Sequence, residues 1–145
     1  MILFADTSAL VKVYIEEPGT APMRETAAGA RTVIASHLAF AEIHATFARR
    51  KRESLLPAEE LEKLQIRFAA DWEKIAQIPV VQEVLSPIPE LCERHPLRGA
   101  DAIHLSSALL LFREGLEVTF ACSDRRLLEA AAAEGLLTFD PAQAA

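Results

Sequence analysis

The sequence predicts an α/β fold in which a parallel, doubly wound sheet carries helices on both faces. Three observations predict it. Short apolar runs, "ILFA", "TVIAS", "IPVV", "EVTFAC" and "LLTF", punctuate the chain and read as strands buried on both sides. Stretches with helical spacing separate them. Carboxylates follow directly behind two of these runs, at Asp6 and Asp124. That is the rim of a parallel sheet, outside the carboxyl ends of the strands, where ligands bind.

Each element follows in order. "ILFA" is the first strand. Ser8–Glu17 is a helix stopped by Pro18 and Gly19. Its apolar stripe is Leu10, Val11, Tyr14 and Ile15, which puts Lys12 on the outer face. Thr20–Ala28 is a second helix and Thr32–Ser36 a second strand. His37–Lys51 is a helix with Phe40, Ile43 and Phe47 along one side. Pro57 is a first-turn proline for a helix running to about Ile75. "IPVV" is a short strand. Pro89–Arg94 is helical, and the helix could extend over Val84–His95. Gly99 precedes a strong helix from about Ala100 to Glu114, closed by Gly115. "EVTFAC" is a strand, Ser123–Glu134 a helix and "LLTF" the last strand. Trp72 and the phenylalanines read as core.

Length and composition narrow the function. The 145 residues suit a single domain spanning 1–145. With 51% hydrophobic and 25% charged residues, the chain is expected to be globular. The longest stretch without Asp, Glu, Lys or Arg, Ala102–Phe112, is 11 residues, short of the ~20 that a spanning helix needs. "MILFAD" has no basic leader region, so a cytoplasmic protein without membrane contact is expected. Cys92 and Cys122 form no disulfide framework or thiolate cluster and read as reduced, partly buried thiols. A net charge of -6 argues against a protein that merely coats nucleic acid. It allows a nucleic-acid enzyme if several acids surround a cation and basic groups such as "RRKR" at Arg49–Arg52 lie elsewhere. Those four cations equally suit an ordinary helix end.

The acids are the candidate chemistry. Asp6 and Asp124 stand at the rim, Asp101 opens a helix that could reach it, and Glu42 lies within a helix on the face of Leu38, Ala45 and Arg49. Capping is an equally good use for each aspartate, and solvent for Glu42. Bringing them together is unfavourable without a cation, since two charges ~4 Å apart repel by roughly 4 kcal/mol at an effective dielectric near 20. Mg²⁺ or Mn²⁺, with their oxygen ligands, would resolve this. The chain has no zinc-spaced His or Cys set, no phosphate-cradling glycine loop and no nucleophile elbow.

Four blocks stand in order: "ADTSALVKVYIEE", "AFAEIHATFAR", "HPLRGADAIHLSSALL" and "ACSDRRLLEAAAAEG". Together they resemble PIN-domain proteins, most closely the VapC-type toxins of prokaryotic toxin–antitoxin pairs. The third block is the most specific. The resemblance implies a three-layer α/β/α fold with a parallel sheet of about five strands, and a Mg²⁺- or Mn²⁺-dependent ribonuclease. It places an acidic quartet for metal binding and catalysis on Asp6, Glu42, Asp101 and Asp124. It implies an RNA substrate, a VapB-like antitoxin partner and a homodimer. Ser8 fills the family's small hydroxyl position. Where a Thr or Ser often stands two places before the last acid, this chain has Cys122, so Ser123 is a candidate for the missing hydroxyl. Arg98 could contact phosphate or pair with an acid. His104, one helical turn after Asp101, could hold a carboxylate, touch substrate, or be a core histidine.

Two other readings compete. A Mg²⁺-dependent phosphohydrolase of the haloacid dehalogenase type uses a strand-end aspartate followed two residues later by another, where this chain has Ser8. A non-catalytic PIN-like module binding RNA or protein would fit a chain lacking one of the four acids.

Overall fold

The computed structural model describes residues 1–144. Its five strands, β1 (Ile2–Ala5), β2 (Thr32–Ser36), β3 (Ala76–Ile78), β4 (Val118–Ala121) and β5 (Leu137–Phe139), are all parallel and lie in the order β3-β2-β1-β4-β5. The helices are α1 (Thr7–Leu10), α2 (Thr20–Gly29), α3 (Leu38–Arg52), α4 (Ala58–Trp72), α5 (Gln82–Leu85), α6 (Ile88–Arg94), α7 (Gly99–Arg113) and α8 (Arg125–Ala133).

Strand side chains alternate between two apolar layers. Leu3, Ala5, Ala35 and Ala121 face a core completed by Leu10, Ile43, Phe47 and Phe68 from α1, α3 and α4. Phe4, Ile34, Phe120 and Cys122 face the other, filled by Val84, Leu91, Leu105, Leu109 and Leu127 from α5 to α8. Being covered on both sides is why the strands read as continuous apolar runs. Phe4 and Phe120 sit opposite each other in the register and stack at 5.6 Å between centroids. Each fully buried phenylalanine contributes about 1.5–3 kcal/mol.

The strand order reverses direction at β1 and β4. From β1 the chain winds outward through β2 to β3, then returns through α7 to β4 on the far side of β1. This switch point opens a crevice beyond the carboxyl ends of β1 and β4. Ala5 pairs with Ala121, and Asp6 N–H donates to Ala121 O at 3.1 Å, so the two strands reach the rim in step.

Four elements differ from expectation. The first helix ends at Leu10, and Val11–Val13 tighten into a 3₁₀ turn. Val11, Val13 and Ile15 are β-branched and favour the helix weakly. The Val13 carbonyl is also taken by two guanidiniums, Arg24 Nε at 3.0 Å and Arg67 Nη2 at 2.9 Å. The tighter turn carries Lys12 inward: it is 6% exposed and pairs with Glu17 at 2.9 Å, not with solvent. Glu17 also holds Arg50 at 2.9 Å, which removes one member of the "RRKR" run from the free surface. β3 ends at Ile78 because Pro79 has no N–H to donate, and Val80 and Val81 lie exposed beyond it. The Val84–His95 stretch is two short helices that part at Ser86 and Pro87. Along α3, Ile43 and Phe47 are buried, whereas Phe40 is 43% exposed and rests on Trp72 and His44. Both cysteines are free thiols; Cys122 is buried and Cys92 exposed.

Candidate active site

Asp6 ends β1 and caps α1. Its Oδ1 accepts Ala9 N–H at 3.0 Å and the Ser8 hydroxyl at 2.7 Å. Asp124 follows β4 and caps α8, with Oδ1 accepting Leu127 N–H at 3.1 Å. Each aspartate therefore uses one oxygen to start a helix and keeps Oδ2 without such a bond among the described residues. Glu42, on α3, follows the same division. Its Oε1 accepts Thr7 Oγ1 at 2.7 Å and His104 Nε2 at 2.6 Å, leaving Oε2. Asp101 stands in the first turn of α7 and makes no side-chain hydrogen bond among the described residues. Capping and ligation are thus not alternatives here, because a carboxylate has two oxygens.

The electrostatics tie the four acids into one region. Burial pushes the Asp6 carboxyl up, and the nearby His104 pulls it partly back. Burial also raises Asp101, and next the charge of Asp124, with Glu42 adding to it; His104 and Arg98 oppose. Burial alone would raise Glu42, but the bonds from His104 and Thr7 outweigh it and the net shift is downward. His104, 1% exposed, bonds to Glu42, and its charge opposes the rise at Asp6 and Asp101.

Asp101 and Asp124 line an open cleft of about 440 Å³ together with Pro96, Arg98, Ser123, Arg125 and Arg126. Asp6 and Glu42 are not among its lining residues. Among the described residues no three acidic, His or Cys side chains stand close enough to hold one ion as they are set. Closing on a single cation would require some of them to turn. The donor set itself suits a hard divalent ion. It is all oxygen, one oxygen of each oriented acid is left over, and Asp101 and Asp124 repel until a cation arrives.

The smaller residues differ from expectation in one respect. Ser8 bridges the two strand ends, donating to Asp6 Oδ1 and accepting Ser123 N–H at 3.0 Å. Ser123 does not supply a hydroxyl to the acids: its Oγ donates to Asp140 Oδ1 at 3.0 Å, on the C-terminal side. Cys122 takes that place, its Sγ accepting Asp124 N–H at 3.1 Å and contacting Asp124 O at 3.5 Å. Burial, and then the charge of Asp6, push its thiol up, so it stays protonated and works as a weak hydrogen-bonding group. Arg98, exposed at the start of α7, borders Asp101 in the cleft. The residue that sequence reasoning passed over is Thr7. Its only signal is the second hydroxyl in "DTS", and nothing local says that it reaches a glutamate 35 positions away.

Residues 3–133 match the family model described as PIN domain. The chain belongs to the PIN-domain family. Within that family it is of the VapC type. Ribonuclease VapC45 and Ribonuclease VapC49, from two strains of Mycobacterium tuberculosis, are each 33% identical to it over 134 residues, 92% of this chain and 92% of the relative. Among solved structures, this PIN domain superposes on FitAcB from Neisseria gonorrhoeae with a TM-score of 0.70 at 18% identity, covering 99% of this chain and 100% of the other. It superposes on VapBC2 from Rickettsia felis, bound to a DNA fragment from their promoter, with a TM-score of 0.68 at 14% identity, covering 97% and 98%. These two likenesses bear on the fold alone. The haloacid dehalogenase reading is not favoured, since Ser8 bonds to Asp6 where a second aspartate would stand.

Proposed function

We propose that this PIN-domain protein is a Mg²⁺- or Mn²⁺-dependent endoribonuclease, the toxin of a toxin–antitoxin pair. One observation carries the reading. Asp6, Glu42 and Asp124 each have one oxygen anchored and one left over, and Asp101 feels the charges of Asp124 and Glu42. The relatives named ribonucleases support it. Asp6, Glu42, Asp101 and Asp124 would hold the ion. When bound, that ion supplies a Lewis acid and lowers the pKa of water, so no separate general base is needed. The chain does the rest. Ser8 and Ala9 N–H fix Asp6, Leu127 N–H fixes Asp124, and Arg98 and Arg126 flank the cleft as cations for RNA phosphates. The sheet provides a rigid floor, so the acids need little reorganisation as charge develops on the phosphate.

The VapBC2 assembly among the structural neighbours supports a VapB-like antitoxin partner, and the acidic cleft is where we place its tail. A homodimer in the cytoplasm completes the reading. No helix among the described residues is long and apolar enough to cross a membrane.

The test is cleavage of RNA with Mn²⁺ or Mg²⁺, with and without EDTA. Asp6→Asn and Asp101→Asn should each lower cleavage by about 100-fold or more, beyond the 10–100-fold typical of losing a metal's outer-shell partner. Wild-type rates in both variants, or cleavage that persists in EDTA, would overturn the reading.

A further inference from the structure

We infer that Thr7 and His104 form a latch that positions Glu42, holding Oε1 and leaving Oε2 as the oxygen available to a cation. This rests on the reading of Glu42 as part of a cation site.

Three elements meet at that oxygen. Thr7 is the first residue of α1, Glu42 lies on α3 and His104 on α7. The two bonds, 2.7 Å from Thr7 and 2.6 Å from His104, are the lengths of strong charge-assisted contacts. Thr7 Oγ1 and His104 Nε2 are themselves only 3.4 Å apart, so all three polar atoms crowd one point. The His104 Nδ1 atom is buried with no partner among the described residues. That orphan is informative. An unsatisfied buried polar atom costs about 1–3 kcal/mol. The other ring nitrogen is engaged, and it points at Glu42. The long Glu42 side chain is 34% exposed, so without the two donors it would sample many rotamers. Packing does not fix it; the latch does.

Thr7 and His104 are positioning residues, since they would act through Glu42 and not on the substrate. Removing either should loosen cation binding in the way outer-shell losses do, by about 10-fold or more. Thr7→Ser keeps a hydroxyl, and His104→Gln keeps an N–H close to the Nε2 position, so both should bind nearly as wild type. In a Glu42→Ala background, Thr7→Val should have no further effect, because nothing remains to be positioned.

The experiment is titration of the metal-free full chain with Mn²⁺ by calorimetry. It compares wild type, Thr7→Val, Thr7→Ser, His104→Leu, His104→Gln, Glu42→Ala and the double variant Thr7→Val/Glu42→Ala. Urea melts serve as the control for folding. The expected result is weaker binding in Thr7→Val and His104→Leu, recovery in the two conservative variants, and no added loss in the double variant. Wild-type affinity in Thr7→Val overturns the latch and leaves the nuclease reading intact, as does an equal loss in the presence and absence of Glu42. If the wild-type chain takes up no Mn²⁺, the cation-site reading falls and the latch falls with it. If His104→Leu fails to fold, Thr7→Val, a surface-adjacent change of one atom, decides.

Discussion

Asp6 is a residue that the fold tolerates at some expense. It is 4% exposed, and burial holds its carboxyl above the ordinary value of about 3.9. A raised carboxyl contributes stability in its protonated form. That stability is present below the unfolded value and lost as pH rises through the folded one. Metal-free Asp6→Asn should therefore melt above metal-free wild type at neutral pH, and the gap should close as the pH falls below the carboxylate range. Thermal melts in EDTA across that range check this, and a gap that widens on acidification contradicts it. Glu42 runs the other way: its net downward shift supports stability above the unfolded value and withdraws it as pH falls. The rim positions of Asp6 and Asp124 were legible in the sequence because each stands just past an apolar run, and a strand end is a local feature. Thr7, and the identity of the group that replaces the family's hydroxyl near Asp124, were not. Both depend on contacts between segments more than 30 positions apart, or on which way a side chain turns, as Ser123 turns to Asp140.

At the scale of elements, two joints lie outside the cleft. Glu134, which ends α8, accepts two bonds from Arg94 at 3.0 and 2.9 Å and one contact from His95 Nε2 at 2.7 Å. The joint ties the far end of the helix that begins at Asp124 to the segment leading into Arg98. Glu134→Ala should leave the sheet intact and speed amide exchange in residues 95–98, as read by hydrogen exchange. The other joint is Gly19, with φ at +96° and a virtual Cβ 2.8 Å from the backbone of Pro141 and Ala142. Gly19→Ala should destabilise by about 1–3 kcal/mol, measured by urea unfolding. The buried strands and the long helices were plain from periodicity, because two-sided burial and amphipathic spacing are written locally. The early end of the first helix was not. It is imposed by Arg24 and Arg67, which arrive from other elements to take the Val13 carbonyl.

For the whole molecule, repulsion between Asp101 and Asp124 implies that a bound divalent ion and folding are linked. At a Mn²⁺ concentration 100 times Kd, the linkage should add roughly 2.7 kcal/mol of stability. A melting temperature that does not move with Mn²⁺, or that EDTA does not restore, contradicts a cation at this rim. The topology adds a constraint of another kind. The central strand β1 leads to Asp6 and is made before β4, which lies beside it and leads to Asp124. A nascent chain lacking β4 has half of its central strand unpaired and one wall of the crevice unmade. Whatever chemistry the rim performs, the polypeptide cannot perform it before β4 has joined the sheet.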